Sequence, residues 1–185
     1  MTPHFGRALL AGIVILITAQ TPDRPSTARG EWPTYGGDLA STKYSPLDQI
    51  DANNFAKLRV AWRVKSPDAI LSMTLPGGAE WTASSAAIFA ELNRVDPKRW
   101  RDSRPPTVGN FKATPLMVGG TLYLNSPSSV GAAYDAKTGA MRWLYNPKSY
   151  EAGTTTMSAI WNQRGVAYWT DGAEDTSTGA QATVI

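Results

Sequence analysis

Apolar and polar positions alternate most regularly between residues 114 and 146. The run "TPLMV" is followed by Gly119 and Gly120, and "TLYLN" then alternates side by side with it. Two glycines between two short β runs predict a tight hairpin. "VGAAYD" is a third run and "MRWLYN" a fourth. Between them lies "DAKTG", where Asp135 is placed to accept from backbone N–H groups two or three residues on, and Gly139 to supply a positive φ. The pattern predicts four short antiparallel strands joined in order by tight turns.

Elsewhere the signal is weaker. "SSAAIFAELNRV" places Ile88, Leu92 and Val95 at i, i+4 and i+7, which predicts a helix capped by Ser84 and stopped by Pro97. The remainder of 66–109 reads as irregular. Upstream, residues 51–58 predict a short helix and "LRVAWRV" (58–64) an alternating strand. A polar, proline-containing stretch at 20–30 reads as a linker.

A small four-stranded meander has two faces to bury and cannot cover both alone. Radial stacking of such sheets around an axis solves this, which points to an all-β propeller of four-stranded antiparallel blades with one short helical insertion. Trp143, near the start of the outermost strand, is then placed to dock against the next sheet. "QRGVAYW" (163–169) would open a second blade, and "ATVI" (182–185) its second strand. A domain should not end inside a hairpin, so residues 31–185 read as the N-terminal part of a longer propeller, inactive by itself.

Composition narrows the chemistry. Gly 16, Pro 13, Trp 7 and Tyr 7 in 185 residues favour turns and aromatic anchors over helices. The absence of cysteine removes disulfides, thiolate metal sites, cysteine nucleophiles and a lipoprotein anchor. The one histidine, His4, lies in an N-terminal segment expected to be removed, which removes a Ser-His-Asp triad and a histidine-ligated metal. That segment, residues 1–19, has a basic start and an apolar run at 8–19 and reads as a secretory signal directing the chain to the periplasm. Left uncleaved, it would instead tie the protein to the membrane. The basic cluster at 97–104 contains Asp102 and has no accompanying recognition motif, so it reads as a solvated loop and not as a nucleic-acid patch.

Three segments together resemble the N-terminal part of the PQQ-dependent (quinoprotein) alcohol and glucose dehydrogenases. They are "WPTYGGDLASTKYSPLDQIDANNFAKLRVAW", then "FKATPLMVGGTLYLNSP" with "AYDAKTGAMRW", then "NQRGVAYW". The resemblance implies an eight-bladed periplasmic propeller that oxidises a sugar, polyol or alcohol by hydride transfer to PQQ. It also implies Ca²⁺ as Lewis acid and a quinone or cytochrome as electron acceptor. The calcium ligands and general base would lie beyond residue 185.

Residue by residue, the resemblance assigns less. The arginine of the family's "RG" step, which reaches the quinone, corresponds to Arg164; the same residue could instead bond loop carbonyls. Alcohol-oxidising members carry a cofactor-binding glutamate upstream of the "TP" step. Here "GNFKATP" offers Asn110 and Lys112 as cofactor-binding candidates, and a solvated strand-edge lysine is the alternative for Lys112. Where many alcohol oxidisers place a vicinal disulfide, this chain has Ser158 and Ala159, a departure that leans towards sugar or polyol substrates. Two other functions remain at this point. One is a non-catalytic propeller of PQQ-like repeats serving as an interaction scaffold. The other is a carbohydrate-binding propeller using exposed Trp32, Trp81 or Trp100.

Overall fold

The computed structural model describes residues 25–100, 111–153 and 165–169. Two units of regular structure follow each other along the chain. The first is a hairpin and helix: β1 (Ile70–Thr74), β2 (Glu80–Ser84) and α1 (Ser85–Val95). The second is a four-stranded antiparallel sheet in the order β3-β4-β5-β6, formed by Leu116–Val118, Thr121–Asn125, Gly131–Asp135 and Met141–Tyr145.

The sheet is the meander that the alternation predicts. Gly119 (φ +56) and Gly120 (φ +69) both take positive φ between β3 and β4, the conformation of a tight primed turn that glycine adopts without steric cost. Asp135 Oδ1 accepts from Lys137 N at 3.1 Å and Thr138 N at 2.9 Å, and Gly139 sits at φ +74. Between β5 and β6 the register slips, pairing Ala133 with Trp143 and Tyr134 with Met141. Arg142, the extra residue of this bulge, bonds Asp135 Oδ2 at 2.8 Å and Thr121 Oγ1 at 2.7 Å.

One face of the sheet buries Leu116, Val118, Tyr123 and Ala133, with Trp32, Trp143, Val166 and Tyr168 packed on them. Trp143 thus shares this face with Val166 and Tyr168 of the segment that follows the blade, and its ring centroid lies 6.2 Å from that of Tyr123. The outer edge of β3 is covered by Trp32, which exchanges two backbone bonds with Met117 at 2.8 and 3.0 Å.

Upstream the structure corrects three expectations. Residues 51–58 form no α-helix, only the 3-10 turn Phe55–Lys57. Asp51 explains why: its carboxylate accepts from Asn53 N (2.7 Å) and Asn54 N (3.1 Å), offering those N–H groups a turn in place of a helix. Residues 58–64 form no strand and pair with no described one; of their alternating apolar positions only Trp62 is covered, while Leu58, Val60 and Val64 are exposed. Trp62 lies over the Asp135–Gly139 turn, donates to Ala136 O at 3.1 Å, and leaves no room for a Cβ on Gly139, which would fall 2.7 Å from its ring.

The stretch read as irregular contains the β1–β2 hairpin, turning through Gly77 and Gly78 at positive φ. Helix α1 follows as expected, with Ser84 Oγ accepting from Ala87 N at 3.3 Å. Its buried stripe is Ile88, Phe89 and Leu92; Val95, in the last turn, is exposed. These side chains pack with Leu71, Met73, Trp100, Val130 and Tyr150 into a second core, so the hairpin–helix unit sits on the β4–β5 loop and on the turn after β6.

Candidate functional site

Antiparallel register decides which groups share an end of the blade. Leu116 opposes Tyr123, and Asn125 opposes Gly131, which in turn opposes Tyr145. The start of β3, the loop 126–130 and the chain leaving β6 therefore lie at one end of the sheet, and the Gly119–Gly120 and Asp135–Gly139 turns at the other. At the first end Thr114 forms an isolated parallel bridge with Gly165. The chain ahead of β3 and the chain that enters after the blade thus run side by side.

Lys112 stands two residues before this bridge, on an exposed stretch. No described carboxylate pairs with it. Asn110 and Arg164 lie outside the described residues, as do Ser158, Ala159 and the whole of 1–24, so the signal segment is not described either. Gly165 is the residue after Arg164 in the sequence. PQQ is a quinone bearing carboxylates, and an exposed ammonium without a partner among the described residues fits one of them. Among the described residues no group of three acidic or histidine side chains could hold a metal ion, and no helix is long and apolar enough to cross a membrane.

The same end of the blade is tied to the hairpin–helix unit by polar contacts. Asp68, in the turn Pro67–Ala69 before β1, is 2% exposed. The Ser126 hydroxyl donates to Asp68 Oδ1, Ser128 N donates to Oδ2 at 3.3 Å, and Val130 N donates to Ser126 Oγ at 3.1 Å. Burial pushes the Asp68 carboxyl up, against the pull of its bonds to Ser126 and Ser128. Tyr150, fully buried, donates its hydroxyl to Ser72 O and accepts from Asn146 Nδ2 at 2.8 Å. At the surface Lys148 pairs with Glu80, and Glu151 Oε1 accepts from Thr74 N at 2.9 Å. No sequence pattern announces the Asp68 cluster, because its members are 58 and 60 residues apart. Only the Ser-Pro-Asp and Ser-Pro-Ser-Ser runs mark the two turns.

The tryptophans weigh against the carbohydrate-binding alternative. Trp100 is buried against Phe89 with ring centroids 6.1 Å apart, Trp81 packs on the hairpin–helix core, and Trp32 packs on the blade. Core packing has taken all three, and none is left as an exposed platform for a sugar ring.

Comparison with known proteins extends this picture. Residues 32–185 match the PQQ family described as "Glucose/ethanol/alcohol dehydrogenase, beta-propeller domain". The chain is similar to the 1-butanol dehydrogenase (cytochrome c) of Thauera butanivorans, 30% identical over 162 residues, which cover 87% of this chain and 17% of that protein. It is 27% identical over 133 residues to the quinoprotein glucose dehydrogenase of Gluconobacter oxydans, covering 72% of this chain and 13% of the relative. Among solved structures it is similar to the quinohemoprotein alcohol dehydrogenase of Comamonas testosteroni, at 26% identity and a TM-score of 0.44, over 75% of this chain and 15% of that one. The chain thus spans between 13% and 17% of the length of these relatives. With the family match running from the bridged Trp32 through the whole of the observed four-stranded blade, the chain belongs to the PQQ-type glucose/ethanol/alcohol dehydrogenase β-propeller family.

Proposed function

We propose that the protein to which this chain belongs oxidises a CH–OH group of a sugar, polyol or alcohol in the periplasm, with PQQ as its cofactor and Ca²⁺ beside it. The observation that carries this reading is the Thr114–Gly165 bridge. It joins, at one end of the blade, the segment bearing Lys112 to the residue that follows Arg164. When bound, PQQ would supply the two-electron acceptor and Ca²⁺ a Lewis acid.

The chain's own contribution is electrostatic. The Lys112 ammonium would hold a cofactor carboxylate by a charge-assisted hydrogen bond. The Arg164 guanidinium, which keeps its proton at any working pH, would stabilise negative charge that grows on the quinone oxygens during oxidation. Ser158 and Ala159, at the place of the family's vicinal disulfide, favour a sugar or polyol over a small alcohol. The electrons would pass on to a quinone or cytochrome; the Thauera relative is named for cytochrome c.

The test is dye reduction by the full-length protein, with a sugar, a polyol and an alcohol supplied in turn. Reduction should require added PQQ and Ca²⁺ together. Lys112→Ala should raise the PQQ concentration needed by roughly tenfold while leaving the saturated rate nearly intact, because the lost contact is a ground-state one. Arg164→Ala should lower the saturated rate by about a hundredfold. Turnover without PQQ, or none with any of the three substrate classes, would overturn the proposal and favour a non-catalytic scaffold.

A further inference from the structure

The Asp68 cluster performs no step in the proposed reaction, yet its construction is costly. A carboxylate that is 2% exposed has lost its hydration, and the groups acting on it are the Ser126 and Ser128 donors, with no cationic side chain among them. Apolar side chains of similar volume would hold two turns together at lower cost. Directional bonds give something that apolar packing does not, which is a single shape for the loop they reach.

That loop, 126–130, leaves β4 directly after Asn125 and returns at Gly131. It is tightly specified. Ser126 N donates to Val130 O at 2.9 Å, Ser129 N donates to Ser126 O at 3.0 Å, and Ser129 takes a φ of +66. Register puts the loop at the end of the sheet where Thr114 meets Gly165. Asp68 reaches it from outside the blade, across 58 residues of chain.

We propose that Asp68 is a positioning residue: through Ser126 and Ser128 it fixes the β4–β5 loop and thereby shapes the end of the blade that receives the anionic quinone. This rests on the functional reading above, and deepens it by naming a group outside the blade on which cofactor affinity depends. Its action is through hydrogen bonds and not through charge. An asparagine can keep Oδ1 on Ser128 N–H and donate Nδ2–H to Ser126 Oγ, whose second lone pair is free to accept while Val130 N–H uses the first.

The experiment measures PQQ affinity by fluorescence titration of the full-length apo-protein. It compares the wild type with Asp68→Ala, Asp68→Asn, Ser126→Ala and Glu31→Ala. Glu31 is the control, since its Oε1 accepts from Gly119 N at 2.9 Å and so ties down the opposite end of the same sheet. Asp68→Ala and Ser126→Ala should weaken PQQ binding by about tenfold or more, as misplaced binding groups do. Asp68→Asn should recover most of that loss, and Glu31→Ala should bind as the wild type does. Should Asp68→Ala not fold, Ser126→Ala carries the same test. Unchanged affinity in the Asp68 and Ser126 variants, or an equal loss in Glu31→Ala, would overturn the proposal. If the wild type binds no PQQ, the functional reading falls, and amide exchange then decides the role of Asp68. Faster exchange at Ser128 and Val130 in the alanine variants supports its hold on the loop; unchanged exchange refutes it.

Discussion

Asp135 concentrates four interactions on one half-buried carboxylate: the N–H groups of Lys137 and Thr138, the Thr138 hydroxyl, and the Arg142 guanidinium. The hydrogen bond from Arg142 first, and those from Thr138 next, hold its carboxyl well below the ordinary carboxylate range. A group whose folded pKa is depressed adds stability that is fully present above its unfolded value and is lost as pH falls through the folded one. Asp135→Asn should therefore be less stable than the wild type at neutral pH, with the difference closing as pH drops below about 4. Denaturant titrations of both proteins across that range check this; a difference independent of pH would contradict it. The residue pattern was legible here because every partner is local. Asp68 works against the trend of Asp135, since its raised folded pKa makes its buried charge a cost at neutral pH that is relieved as pH falls. Its partners lie far along the chain, and nothing in the local sequence names them.

At the scale of elements, the four strands of the blade were readable because alternation, paired glycines and an Asx turn all agree on the same answer. The hairpin before α1 was hidden for a different reason. Leu71 and Met73 alternate correctly, but β2 buries its side chains only partly, so "EWTAS" carries no clear apolar face. The Pro-Gly-Gly turn at 76–78 was the available signal. Alternation failed in the opposite direction at 58–64, where an apolar stripe exists without a described strand to pair with, and one tryptophan makes the contact that matters. Helix α1 meets the turn after β6 through aromatic packing, beside the polar ties of Asp68 and Lys148. Phe89 meets Trp100 edge-on at 6.1 Å and Tyr150 at 5.9 Å. Phe89→Ala should cost about 3–5 kcal/mol in that unit, by lost transfer energy and the cavity left behind. Amide exchange should then accelerate across β1, β2 and α1 while β4 and β5, whose cluster does not include Phe89, keep their protection. Uniform acceleration over both units would show that they unfold as one.

Over the whole molecule, the two cores meet at one end of the blade, where Val130 of the β4–β5 loop is buried among the hairpin–helix residues. That end carries Lys112, the Thr114–Gly165 bridge and the Asp68 cluster, whereas the opposite end carries the Gly119–Gly120 and Asp135–Gly139 turns, held by Glu31 and Trp62. Loops at one end of rigid sheets can be shaped without disturbing the strands, which suits that end to the cofactor site proposed above. Cofactor chemistry itself was legible only through resemblance: no composition, spacing or periodicity names a quinone. The most direct test of the account is equilibrium binding of PQQ to the full-length apo-protein with Ca²⁺ present, for the wild type and for Arg164→Ala with Lys112→Ala. The account predicts saturable binding of one PQQ per chain that is weakened when both cations are removed. Absence of saturable binding in the wild type, or equal affinity in the double variant, would contradict it.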